Sequence, residues 1–77
     1  MILKNRRTRE SLEIEYSEFR KKFAKEIQVA FEGFRRTELN KPFNNYKNDN
    51  YMEFNFYFDL QWNFNNFGNP VWHIDKM

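Results

Sequence analysis

The most regular alternation of hydrophobic and polar positions in this chain covers residues 52–64. Met52, Phe54, Phe56, Phe58, Leu60, Trp62 and Phe64 hold every even position, and the odd positions between them are polar apart from Tyr57. Successive side chains of a strand point to opposite faces, so a period of two predicts a long, half-buried β-strand with one wet face. On that reading the even set faces the core, and Tyr51 and Tyr57 lie on the opposite side.

A different period governs the first half. Leu12, Tyr16, Phe19, Phe23, Ile27, Ala30 and Phe34 recur at steps of three and four, which stacks them on one stripe of a helix. At 100° per residue they fall within a sector of about 80°. The pattern predicts an amphipathic helix over residues 9–36, with Thr8 as its N-cap and Glu10 and Glu13 near the positive end of its dipole. Gly33 is a candidate stop; otherwise the helix runs on to Leu39, and Asn40 and Pro42 end it.

Residues 40–50 are rich in turn formers, and Phe43 and Tyr46 could anchor them as a short irregular edge strand. Residues 65–70, with Gly68, Asn69 and Pro70, read as a second turn. After it Val71, Trp72, His73, Ile74 and Asp75 form a strand that folds back antiparallel on the first. Met1 to Leu3 could add an edge strand.

These elements predict an α+β fold: one long N-terminal amphipathic helix packed on a small antiparallel sheet of two or three strands, in the order α-β-β(-β). The lengths agree, with roughly 33 Å of helix over residues 12–34 and roughly 40 Å of strand over residues 52–64. The expected organisation is one small domain over residues 1–77, with a basic arm at 1–8, the helix at 9–36 and a β-hairpin at 51–76.

Composition narrows the function classes. Seventy-seven residues without cysteine allow neither a disulfide framework nor a Cys-based zinc site. His73 is the one histidine, so an all-His metal site within one chain is excluded, and no cofactor or metal is expected. Aromatic residues make up 21% of the chain and half of its hydrophobic residues, so the core is expected to be built of rings. Without an apolar stretch behind Lys4, Arg6 and Arg7 there is no signal-peptide pattern, and no segment reaches the roughly 20 apolar residues of a membrane span. The expectation is a cytoplasmic protein that does not engage a membrane. A net charge of +2 argues against an acidic nucleic-acid mimic and gives only weak support to a nucleic-acid binder. The Asn-, Phe- and Lys-rich composition fits an AT-rich genome, such as that of a phage or mobile element.

Three kinds of site compete. His73 and Asp75 are two apart on a strand and share a face, the minimal unit of general acid–base chemistry in a small ribonuclease-like toxin. No second histidine supports it, and a structural histidine is the plainer reading. Lys4, Arg6, Arg7 and Arg9, followed by Arg20, Lys21, Lys22 and Lys25, could grip phosphates as a nucleic-acid-binding module. The helix mixes its signs, however, with Glu18 four residues before Lys22 and Lys22 four before Glu26, as solvated faces do. The favoured reading is the third: surplus aromatics on a non-enzymatic protein-binding module, an inhibitor or adaptor acting on a larger protein. Its expected contacts are Tyr51, Tyr57 and Trp72, with Arg6, Arg7 and Arg9 as electrostatic guides. A second copy of the chain, forming a homodimer, or the N-terminal Ile2 and Leu3 are the alternative covers for the same surface. A long strand edge would also be open to pairing by a partner strand.

Overall fold

The computed structural model describes residues 1–39, 49–68 and 71–77. Among these residues the fold is α+β, with four helices and a three-stranded antiparallel sheet. Strands β1 (Ile2–Asn5) and β2 (Ser11–Glu13) come first. Helices α1 (Tyr16–Lys22), α2 (Ala24–Leu39), α3 (Asp49–Phe58) and α4 (Leu60–Phe67) follow, and β3 (Trp72–Lys76) closes the chain. The sheet order is β2-β1-β3. The order is therefore β-β-helices-β, not one N-terminal helix followed by a sheet.

The first correction concerns residues 1–15, which fold as a hairpin where a basic arm and a helix start were expected. Ser11, Leu12, Glu13, Ile14 and Glu15 alternate polar and apolar, a short strand signal that Leu12's place on the helical stripe conceals. Leu3 stands opposite Leu12 in the ladder, and Ile14 donates to the Met1 carbonyl at 3.0 Å. The turn is built by Asn5, whose Oδ1 accepts from the backbone N–H groups of Arg7 at 2.9 Å and Thr8 at 3.0 Å. Thr8 caps no helix; its Oγ1 accepts from the Glu10 N–H within the turn. Arg9 takes a left-handed conformation with φ of 64°, which L-residues with a Cβ rarely adopt. The segment over residues 1–3 is indeed a strand, but β1 is the central strand of the sheet and not an edge.

The helix begins at Tyr16 and reaches Leu39, broken only at Phe23, where φ is −109° and ψ 29°. The bend is shallow enough that Phe23 still donates to the Phe19 carbonyl and Ile27 to that of Phe23, both at 2.9 Å. Phe19, Phe23, Ile27, Ala30 and Phe34 are all buried, as their spacing predicts, while Tyr16 is exposed and Leu12 lies in β2. Gly33 does not end the helix. A Cβ there would stand 3.0 Å from the Phe67 Cβ, so Gly33 is where α2 and α4 approach closely.

The second correction is larger. Residues 52–64 form α3 and α4 with a break at Asp59, so there is no long strand and no hairpin over residues 51–76. Two physical reasons favour helix. A strand of thirteen residues needs partners for its backbone groups along its whole length, and β3 has five residues; a helix satisfies its own. Residues 49–67 also contain no Val, Ile or Thr, the β-branched residues that favour strands. At the break, buried Asn63 donates its Nδ2 to the carbonyls of Phe56 at 3.2 Å and Asp59 at 3.0 Å, joining the two helices.

Of the even-numbered set, Met52, Phe56, Leu60 and Phe64 are buried. They are four apart, so they form one helical stripe, which packs against the stripe of α1 and α2. Phe64 lies 5.2 Å from Phe19 and 6.3 Å from Phe23 between ring centroids. Phe56 lies 5.2 Å from Phe31 and 5.8 Å from Phe34. Leu3 and Ile74, opposite each other in the β1–β3 ladder, close the core from the sheet side.

The strand expected at the C-terminal end is present as β3, paired with β1 in place of residues 52–64. Side chains of α4 take up its backbone groups. Asn65 accepts from the Ile74 N–H at 2.6 Å and donates to the Ile74 carbonyl at 2.9 Å, and Gln61 donates to the carbonyls of Ile74 and Asp75. At Ile74 the groups a partner strand would use are occupied. The turn expected over residues 65–70 starts later, because α4 extends through Phe67 with Gly68 as its C-cap; Asn69 and Pro70 lie outside the described residues. So do Phe43, Tyr46 and the edge strand expected around them.

Two predictions follow from these contacts. Gly33→Ala gains about 1 kcal/mol of helix propensity but meets Phe67, and overpacking of that kind costs about 1–3 kcal/mol. Chemical denaturation is expected to show a net loss, with Gly33→Leu losing more than Gly33→Ala. Asn65→Ala strands the Ile74 backbone groups and is expected to lower stability by about 1–3 kcal/mol. Urea titration checks this, and hydrogen exchange should localise the loss to Ile74 and its neighbours.

Candidate protein-docking surface

The even positions that are not buried form a second stripe, also four apart: Phe54, Phe58 and Trp62. Their exposures are 66%, 81% and 54%. At 100° per residue, two positions two apart lie 200° apart on a helix, so a strict alternation places its two half-sets on nearly opposite faces. One face is the core seam. The other stands in solvent, with the rings of Phe54 and Phe58 stacked at a centroid distance of 6.0 Å and Trp62 edge-on to Phe67 at 5.8 Å. These three residues, assigned to the core by alternation, are exposed. The signal that would have found them is the four-residue spacing within the even set.

At about 200 Å² per aromatic side chain, these exposures leave about 400 Å² of ring surface, within the range of the largest patches on monomeric proteins. Beside the stripe runs a groove of about 430 Å³, lined by Phe34 and Glu38 of α2, Phe58, Asp59 and Trp62 at the α3–α4 break, and Phe67. A second groove, of about 490 Å³, flanks the other side between Arg20, Glu53, Phe54 and Tyr57. Charge is unevenly spread around them. Residues 49–67 carry Asp49, Glu53 and Asp59, and all thirteen Lys and Arg residues lie elsewhere in the chain.

The six residues expected to contact a partner are divided among different elements. Tyr51 is exposed on α3 and adjoins the stripe. Tyr57 is half-buried, packed on Phe56, and its hydroxyl accepts from Arg20 at 3.1 Å while the Arg20 guanidinium sits 4.7 Å from its ring centre. Trp72 is half-buried, shares the strand face of buried Ile74 and lies 6.4 Å from Phe23, so it supports the core edge. Arg6, Arg7 and Arg9 are exposed at the β1–β2 turn, and Arg6 donates to the Asn65 carbonyl at 2.9 Å, tying the turn to α4.

His73 and Asp75 do share one face of β3, opposite to Ile74, beside Lys4 of β1. His73 is half-buried and its Nδ1 is buried without a hydrogen-bond partner among the described residues. Among the described residues no group of three His, Cys, Asp or Glu side chains could hold a metal ion. Nor is any helix among them long and apolar enough to cross a membrane. No protein-family model, curated protein or solved structure matches the chain.

The two stripes are separable by stability. Phe56→Ala is expected to cost about 3–5 kcal/mol, as for a buried phenylalanine. Phe58→Ala, on the outer stripe, is expected to stay within about 0.5 kcal/mol of the parent. Thermal or urea unfolding of the two variants checks this, and equal losses would contradict the helical assignment of residues 52–64.

Proposed function

We propose that the protein is a non-enzymatic binding module that docks on another protein through the Phe54–Phe58–Trp62 stripe. The carrying observation is the exposure of three large aromatics in register along one helical face, next to a groove. Phe and Trp are enriched in the central parts of protein interfaces, and a few such anchors supply most of the binding energy. Tyr51 extends the row of anchors. Trp72 leaves the set, because its ring already packs against Phe23.

The site chemistry supports binding over catalysis. General acid–base work calls for several convergent side chains in a cleft, and neither His73 nor Asp75 lines either of the two grooves. The stripe's own helices carry carboxylates and no Lys or Arg, which disfavours a phosphate backbone as occupant. An inhibitor or adaptor role, in a cytoplasmic and phage-like setting, fits the small size and the composition.

The test compares proteins captured by the parent chain and by a Phe54→Ser/Phe58→Ser/Trp62→Ser variant, in extracts of the producing cell. Circular dichroism and unfolding should show the variant folded. Partners held by the parent and lost by the variant are the expected result. The same partners on both, or none on either, would overturn the reading.

A further inference from the structure

We infer that the occupant of the stripe is a cationic amphipathic helix of a partner protein. This rests on the reading of the stripe as a protein-binding site and adds the chemistry of what binds there. Three observations select it. The first is area: about 400 Å² of ring surface is about half of what each side of a standard interface buries. It is further below the obligate homodimer range, so a single element suits it better than a second copy.

The second is shape. Phe58 and Trp62 of the ridge and the wall formed by Phe34, Glu38 and Phe67 border a groove of about 430 Å³. A helix lays its apolar face into such a groove and fixes it with anchors at three- and four-residue spacing. A partner strand, the other common recognition element, would need a sheet edge, and on β3 Asn65 occupies both backbone groups of Ile74.

The third is charge. Asp59 lines this groove, and Glu53 lines the groove on the far side of the ridge. Among the described residues that line the two grooves the one cation is Arg20, which keeps its charge beside Glu53 and is held on Tyr57 by a hydrogen bond and a cation–π contact. A helix whose polar flanks carry Lys or Arg meets carboxylates on both sides of the ridge, and its apolar face meets the rings. An acidic helix is repelled, and so is an anionic lipid surface or a nucleic acid. Two stripes facing each other in a two-fold dimer would also bring Glu53 and Asp59 of both copies to one interface.

The probe is a synthetic amphipathic helix of about 18 residues, five turns, built from Leu and Lys. It is compared with the same pattern of Leu and Glu and with a Lys peptide lacking the apolar face. Each is titrated into the intact chain and followed by amide NMR shifts, with sedimentation of the chain alone alongside. The Leu/Lys helix is expected to bind at least about tenfold tighter than either control. Its shifts should fall on α3, α4 and the second half of α2, and Phe58→Ser and Trp62→Ser should each weaken it about tenfold. Raised salt should weaken it further.

Equal or tighter binding of the Leu/Glu helix, or shifts centred on the β1–β2 turn, would overturn the inference. So would self-association of the chain that Phe58→Ser abolishes, which would make a second copy the occupant. If the Leu/Lys helix fails while the triple serine variant still loses its cellular partners, only the cationic-helix assignment falls. If the triple variant keeps them, the binding reading falls with it.

Discussion

Everything in this fold depends on two aromatic stripes meeting side by side. Phe19, Phe23, Ile27, Ala30 and Phe34 supply one, and Met52, Phe56, Leu60 and Phe64 the other. Phe64 reaches the α1 end of the first stripe and Phe56 the α2 end, so the two helical arms run antiparallel along one seam. Burying each large apolar side chain contributes about 1.5–3 kcal/mol, and a chain without cysteine has no disulfide to add to it. The close approach at Gly33 follows from the same seam, because Phe67 reaches α2 only where α2 has no Cβ. The sheet is fitted to what remains: Leu3 and Ile74 cover the seam's open side, and Asn65 fastens β3 to α4.

This seam also explains the outer stripe. A helix facing a core needs one apolar face, and α3 and α4 have two, set nearly opposite by strict alternation. The seam takes Met52, Phe56, Leu60 and Phe64, so geometry places Phe54, Phe58 and Trp62 on the outer face. The break at Asp59 does not disturb this separation, because Asn63 holds it by bonding to the carbonyls of Phe56 and Asp59. The site and the core are two readings of one repeat.

The α1–α2 stripe and β3 were legible in the sequence because the structure keeps the local pattern each rested on; the α+β class came out right although the long strand it leaned on is helical. Residues 52–64 were not legible, since a period of two contains a period of four. Alternation alone cannot separate a strand with one apolar face from a helix with two. The deciding facts were elsewhere: the lack of β-branched residues, and the absence of a partner strand of matching length among the described residues. The N-terminal hairpin was hidden for the converse reason, because Leu12 satisfies the helical spacing while the alternation from Ser11 to Glu15 satisfies the strand. Misplacing the helix inverted the site, since Phe54, Phe58 and Trp62 were counted as core. Trp72, by contrast, was counted as surface and rests on Phe23.

The outer stripe is informative because folding does not call for it. Phe and Trp are only moderate helix formers, and Leu, Glu, Lys or Gln would serve the helix at positions 54, 58 and 62 at least as well. With most of their area in water, these rings contribute little to the seam and add surface that promotes unwanted association. The buried positions of the same repeat are explained by the seam, ring by ring. The outer ones have no such account in the fold, and their cost to solubility has none either. The proposed docking role would account for both, since anchors must be exposed before they are covered. Flanking them with carboxylates limits what can cover them. On that proposal, Glu53 and Asp59 favour a cationic helix over a second copy.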